Sequence, residues 1–533
     1  MSLVLGIDTG GTYTDAVLLD SGNRTILYKT KAFTTKHDLT IGINECLNNK
    51  VILEKCGEIA KVVLSTTLAT NAIVEGKGRE SGLIMIGREI KEEIPTRYAG
   101  TVSGSINIKG RELKKIDPAE VLDLADKIIP HVESLAISGL MSTRNAAHEL
   151  EVKRLIQEKY NIPIICGHEL TNVLGYYERT VTAVLNAQLL PVIKEFIDAM
   201  TASLGKANIT APIYIVKGTG SIARLQFVKE RPIDTLLSGP AASMMGALYL
   251  SGEQNAIVID MGGTTTDSAS VKNNQLKFTK KGAEVGGWQT RIESADIHTY
   301  GIGGDTGILI ENGKPIITQR RYLPACRGGK EAVTPTDIVH YTGEYEKWDV
   351  EASRTAVHLQ AEKCSMSVKE YLETVQTGIK QTIIKKVLNH YEGDTDPVIA
   401  IGAPAKTWYT KIKNEYGYDV IVPDHYEVAN AVGAAVAEIV AEVDAVVRKG
   451  EDKKGFLLHI EGERYAFTTR DDAIQFGLEK SKHYVIELAK AQGAKYVEAV
   501  SESRNRYVQT GSSEEYVETI ICAKAQGRNV EMV

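Results

Sequence analysis

Two short strings in this chain carry residue types suited to phosphate chemistry. Asp8-Thr9-Gly10-Gly11-Thr12-Tyr13-Thr14-Asp15 and Asp260-Met261-Gly262-Gly263-Thr264-Thr265-Thr266-Asp267 agree at Asp, Gly, Gly, Thr, Thr and Asp, in that order. Glycines let backbone N–H groups approach and wrap an anion, and threonine hydroxyls add donors. An aspartate ahead of the turn can hold Mg²⁺ through water or orient an attacking oxygen. The candidate phosphate contacts are therefore Gly10, Gly11, Thr12 and Thr14 in the first string, and Gly262, Gly263, Thr264, Thr265 and Thr266 in the second. Asp8 and Asp260 are the candidate Mg²⁺ ligands, and with Asp15 and Asp267 they are the candidate catalytic carboxylates. Neither string contains the lysine of a Walker loop, so N–H groups and hydroxyls would do the holding. A single Gly-Gly-Thr also makes an ordinary hairpin turn. The Asp-flanked repetition is what makes the pattern informative.

Strands must position both strings. Residues 3–7 are a continuous apolar run, residues 16–19 resume it after the glycines, residues 20–23 turn the chain, and residues 25–29 read as a third strand. This is a hairpin meander, whereas a dinucleotide-binding unit would start a helix after its glycines. Residues 256–259, 269–271 and 276–279 repeat the meander around the second string, so two homologous halves are expected, with their turns facing across one cleft. Helices are predicted at 118–132, with Asp117 as N-cap, and at 145–160, 176–200, 367–391 and 429–448. The charged run Lys449-Gly450-Glu451-Asp452-Lys453-Lys454-Gly455 reads as a linker. A hairpin, a helix at 471–492 and two strands follow it. The expected division is 1–185, 186–448 and 449–533. The last part is a small α+β appendage that docks on the body, on a second copy or on a partner chain.

The chain has 533 residues, with 62 Lys and Arg against 68 Asp and Glu, a net charge of −6 that speaks against a polyanion-binding surface. Three Trp and seven Phe offer no stacking platform for nucleic acid. Six scattered cysteines without a CxxC pair exclude a disulfide scaffold and most zinc-ribbon or iron–sulfur layouts. The apolar run before Asp8 is too short for a signal peptide or a membrane span, and no later stretch is read as one, so a soluble cytoplasmic protein is expected. Weaker candidates remain. Glu178 and Arg179 read as an ion pair on a solvated helix face, with a cleft role as the alternative, Asp296 and His298 as a hydrogen-bonded pair in preference to a metal site, and Thr66, Thr67, Thr70 and Asn71 as helix caps with some substrate contact.

Further strings run in a recognisable order: residues 5–18 (LGIDTGGTYTDAVL), 65–78 (STTLATNAIVEGKG), 176–191 (YYERTVTAVLNAQLLP), 236–247 (LLSGPAASMMGA), 257–271 (IVIDMGGTTTDSASV), 297–304 (IHTYGIGG), 324–329 (PACRGG) and 335–338 (PTDI). Across most of residues 3–440 the chain resembles the hydantoinase A/oxoprolinase family, within the actin, sugar-kinase and heat-shock-chaperone ATPase superfamily. The resemblance implies an α/β fold of duplicated actin-like (ribonuclease H-like) halves around a nucleotide cleft, using ATP and Mg²⁺. It also implies activation of a cyclic amide or related carbonyl by phosphorylation, with a hydantoinase-B-type partner subunit. Gly402-Ala403-Pro404 resembles the superfamily's adenosine-contact turn, and Gly303-Gly304 reads either as a further nucleotide loop or as a plain tight turn. The chain departs from the family pattern at Lys217-Gly218-Thr219-Gly220-Ser221, at Gly303-Gly304-Asp305-Thr306 and at Gly402-Ala403-Pro404-Ala405-Lys406. The last eighty residues do not match the family ending. A small-molecule kinase and an ATPase that activates or reactivates a partner enzyme are the alternatives. The cysteine layout speaks against an iron–sulfur activator.

Overall fold

The computed structural model describes residues 3–35, 38–279, 281–450, 455–510 and 513–528, so Glu451, Asp452, Lys453 and Lys454 of the expected linker lie outside the described residues. Leu3–Thr9 and Tyr13–Asp20 form an antiparallel hairpin, and Thr25–Phe33 extends it. Leu3–Thr9 is buried at every residue because Ile59–Thr66 runs parallel along its other edge. Ile213–Val216 and Ile222–Arg224 complete this sheet. A second sheet repeats the order. Ala256–Met261 pairs antiparallel with Thr266–Lys272, which leads to Gln275–Leu276, and parallel with Val398–Ile401 and then Val420–Ile421. The two turns close with matching bonds, Gly10 N–H to the Tyr13 carbonyl at 2.9 Å and Gly262 N–H to the Thr265 carbonyl at 2.8 Å.

Two helices lie between the sheets. Ala429–Val436 packs on Leu3–Thr9, Tyr13–Asp20 and Ile59–Thr66, while Ser238–Ser251 packs on Ala256–Met261 and Val398–Ile401. Their backbones touch. A Cβ on Gly246 would lie 1.8 Å from the Ala429 carbonyl oxygen, and one on Gly433 would lie 1.8 Å from that of Ala242. Only glycine fits at such approaches.

The helix expected over 429–448 ends at Val436, and Ile439–Lys449 is a strand. Its residues alternate, with Ile439, Ala441, Val443, Ala445 and Val447 buried, so period-two burial overrides the helix-like Ala/Val composition. This strand is the centre of a five-stranded sheet, between Phe456–Ile460 and Ser513–Arg528, covered by the helix Arg470–Ala491. The C-terminal sheet thus begins before the expected 448/449 division. It shares a hydrophobic core with the first sheet through Val4, Leu19, Tyr214 and Val216. The expected 185/186 division falls inside the helix Tyr176–Lys206, and strands as far as Arg224 belong to the first sheet.

One sheet has no counterpart in the sequence reading. Ile164–Cys166, Ser134–Gly139, Ser81–Ile86 and Tyr98–Val102 lie side by side, all parallel, with helices Pro118–Ile128 and Ala147–Gln157 in the connections. Asp117 caps the first of these helices by accepting the Ala119 N–H, as expected. Tyr176–Lys206 is long and apolar enough to cross a membrane, contrary to the expectation that no later stretch would qualify. Its apolar window is 72% buried inside the protein, the mark of a core helix.

In an ordinary helix a Gly→Ala change is favourable by up to about 1 kcal/mol. At the crossing the sign should reverse. Gly246→Ala and Gly433→Ala are each expected to cost about 3 kcal/mol or more in denaturant unfolding, because the new methyl meets backbone rather than a movable side chain.

Candidate functional site

Both hairpin turns open on a single cleft of about 370 Å³. Gly10, Gly11 and Thr12 line it from the first sheet, and Gly262 and Gly263 from the second, with Gly304, Gly402, Ala403 and Pro404 on its walls. The N–H groups of Gly11, Thr12, Gly263 and Thr264 have no acceptor among the described residues. Gly402 adopts φ 89°, and a side chain there would strike the Met261 carbonyl at 2.3 Å and Asp260 Oδ1 at 2.6 Å. The turn after Val398–Ile401 therefore closes tightly on the second hairpin.

Hairpin register explains the paired aspartates. Asp8 lies directly opposite Asp15, and Asp260 opposite Asp267. Opposed residues of an antiparallel pair project from the same face. All four carboxylates line the cleft. Asn430, from the helix Ala429–Val436, donates through Nδ2 to Asp8 Oδ2 at 2.7 Å and to Asp15 Oδ2 at 2.9 Å. Lys31 Nζ, one strand over, donates to Asp15 Oδ2 at 3.0 Å. Asp8 Oδ1 is buried without a protein partner among the described residues.

Enclosure sets the protonation of this group. Loss of solvent, with the Asp15 carboxylate second, pushes Asp8 up to about 7. Loss of solvent likewise pushes Asp267 up to about 7, against the Thr299 hydroxyl, which donates to its Oδ1 at 2.7 Å, and with the help of Asp260. Asp15 and Asp260 are raised by the same cause, opposed by Lys31 and by Ser243 respectively. An orphaned carboxylate oxygen on a carboxylate-lined wall fits a hard divalent cation, which takes oxygen ligands and retains water.

Several expected contacts are placed elsewhere. Thr14 Oγ1 sits 3.1 Å from Thr34 Oγ1 on the buried far face, and Thr266 Oγ1 donates to the Ile302 carbonyl at 2.6 Å. Both neighbour an aspartate in a strand, and strand alternation turns them away from the cleft. Thr264 and Thr265 do not line it either. Gly303 supports the second turn rather than lining the cleft, since a Cβ there would lie 2.7 Å from Gly263 backbone atoms. Arg179 is not solvated. It is fully buried, with Nη2 donating to the Gly139 and Leu140 carbonyls at 2.6 and 3.1 Å, while Glu178 pairs with Arg291 at 3.2 Å. Thr67 lines the cleft and Thr66 Oγ1 accepts the Leu68 N–H, but His298 Nε2 lies 4.0 Å from Asp296 Oδ1, beyond hydrogen-bond reach, so the expected hydrogen-bonded pair is not formed.

Sequence reasoning missed Asn430, Lys31 and an aromatic wall. His340 and Trp348 stack with ring centres 5.4 Å apart, and the Arg327 guanidinium lies 5.4 Å from the Trp348 ring. Arg327 falls within the string 324–329.

An aspartate with ordinary pKa 3.8 held up to about 7 keeps a proton in the folded chain that the unfolded chain has lost between those values. Stability contributed by this group therefore falls as pH rises through that window. Without nucleotide or divalent cation, Asp8→Asn should melt higher than the parent at pH 8, and the gain should shrink towards pH 5. A gain independent of pH in paired calorimetric scans would contradict the assignment.

Comparisons with known proteins agree with this architecture. The model of the hydantoinase/oxoprolinase N-terminal region matches residues 4–160, and the hydantoinase/oxoprolinase model matches residues 179–443. An uncharacterized protein of Methanocaldococcus jannaschii is 26% identical over 69% of this chain and 62% of its own length. The caprolactamase subunit alpha of Pseudomonas jessenii is 29% identical over 56% of this chain and 48% of its own. The chain thus matches about half to under two thirds of the length of these relatives. Among solved structures, the ATP-dependent caprolactamase from Pseudomonas jessenii superposes with TM-score 0.77 at 19% identity, covering 98% of this chain and 87% of that one. Nucleotide-free acetone carboxylase gives 0.72 at 18%, covering 99% and 88%. With a mixed α/β fold shared with these structures and family models covering most of its length, the chain belongs to the hydantoinase/oxoprolinase family.

Proposed function

We propose that this chain is the ATP-using subunit of an enzyme that activates a cyclic amide or related carbonyl. The observation that carries the reading is the duplicated Asp-flanked glycine hairpin, both copies opening on one cleft. The repeated strand order around them supports two actin-like halves, with the C-terminal sheet, from Ile439 onward, as an addition to the first. In this reading the N–H groups of Gly11, Thr12 and Gly263 hold the phosphates, and the turn Gly402 to Pro404 faces the nucleoside. Asp8 and Asp260 hold Mg²⁺, which neutralises charge on the phosphate oxygens when bound. Asp267, with a proton affinity near neutrality, is suited to hold or pass a proton during transfer.

An amide carbonyl is a poor electrophile. Moving the terminal phosphoryl group of ATP onto its oxygen, with release of ADP, makes the amide carbon electrophilic enough for water to add. The adduct expels the ring nitrogen, which takes a proton, and the acyl phosphate left behind is hydrolysed to a carboxylate and free phosphate. The relatives include a caprolactamase subunit alpha and an acetophenone carboxylase gamma subunit, which supports a second, hydantoinase-B-type subunit completing the reaction.

Calorimetry with Mg²⁺ present should detect ATP binding to the isolated chain; no binding would refute the reading. Asp8→Asn and Asp260→Asn should lower turnover by about 100-fold while changing nucleotide affinity little. Product analysis decides the reaction class. Free phosphate with an opened amide is expected, and a stable phosphorylated product would identify a kinase.

A further inference from the structure

The parallel sheet holds a second crevice, and none of the residues lining it lines the nucleotide cleft. From Ser81–Ile86 the chain passes to Tyr98–Val102 on one side, and from Ser134–Gly139 to Ile164–Cys166 on the other. The connections therefore part between the two central strands, where Ile86 pairs with Gly139. In open parallel sheets such a parting leaves a ligand-sized crevice beyond the strands' carboxyl ends. Here it measures about 50 Å³, between the turns at Gly87, Gly104 and Gly139 and the start of the helix Ala147–Gln157. At roughly 10–15 Å³ per water-sized occupant it accepts about four non-hydrogen atoms.

Its polar groups have a definite pattern. His148 is 5% exposed, and its Nε2 lies 2.8 Å from Glu112 Oε1. Glu112 is carried by the short strand Glu112–Lys114, paired with Ser105–Ile106 on the crevice wall. With Nε2–H donated to that carboxylate, Nδ1 presents a lone pair. Nδ1 has no partner among the described residues and faces Gly104, where an added Cβ would lie 3.3 Å from it. Gly104 has φ 140°, so its turn favours glycine, and a Cβ there would also meet Ile116 Cδ1 at 2.7 Å and Ile86 Cγ2 at 3.0 Å. In the helix's first turn, His148 also offers its backbone N–H, which has no acceptor among the described residues. Ile86, Ile106, Leu140 and Met141 supply apolar walls, and no Lys or Arg is among the lining residues, so an anion would find no counter-charge there.

An acceptor and a donor on one residue, in a mostly apolar space for four atoms, call for a ligand with an N–H next to a carbonyl. We propose that this crevice binds a small neutral amide, with its N–H on His148 Nδ1 and its carbonyl oxygen at the helix start. The proposal does not depend on the nucleotide reading.

Saturation-transfer NMR on the full chain tests it with acetamide, N,N-dimethylacetamide and acetate as probes. Acetamide should saturate with Kd on the order of 1–10 mM, unaffected by Mg-ATP. Dimethylacetamide, which lacks the N–H, and acetate, which is charged, should each bind at least about tenfold more weakly, as should acetamide to His148→Leu. Should His148→Leu fail to fold, Glu112→Gln at the half-exposed partner is decisive, since releasing the imidazole tautomer should weaken acetamide several-fold. Absence of saturation, displacement by Mg-ATP, equal binding of dimethylacetamide or acetate, or parental affinity in the folded variant would overturn the proposal.

Discussion

The site depends on one steric constraint, the contact of two helix backbones at Gly246 and Gly433. Each helix lies on a different sheet, so their separation sets the separation of the two hairpins. Gly6 adds a third approach, because a Cβ there would lie 2.1 Å from the Ala431 carbonyl oxygen. With that strand held against the helix, Asn430 reaches both Asp8 and Asp15. From the other helix Gly239 comes close enough that an added Cβ would stand 3.9 Å from Asp8 Oδ1. A side chain at any of the three glycines would part the layers that aim these groups.

The same closeness creates the electrostatics. Four carboxylates lining one cleft lose solvent together, and Lys31 pairs with Asp15 of the first hairpin. Asn430 supplies two donors but no charge, so it orients Asp8 and Asp15 without neutralising them. Proton affinity near neutrality and an unpartnered oxygen on Asp8 follow from that incomplete compensation. Such a lining costs stability in the empty protein and favours whatever cation or proton relieves it.

The hairpins and their paired aspartates were legible because a two-residue alternation and a glycine turn are local rules, and they recur. What was not legible depended on distance or on competing local signals. Asn430 approaches Asp8 only through tertiary packing, and nothing around residue 430 marks it. Residues 429–448 are rich in Ala and Val throughout, and the change from helix to strand after Val436 shows only in the alternation of buried and exposed positions. Thr14 and Thr266 looked like phosphate donors by type, but strand parity turns both away. Arg179 looked like a surface residue because it is charged. Its burial depends on carbonyls at Gly139 and Leu140, on a sheet that the sequence reading did not recognise.

The claim that both hairpins grip one nucleotide is tested most directly by hydrogen exchange, followed by mass spectrometry, during titration with a non-hydrolysable ATP analogue and Mg²⁺. Peptides containing Gly11 and Thr12 and peptides containing Gly263 should gain protection together, with the same midpoint. Protection of one hairpin alone, or different midpoints for the two, would contradict the account.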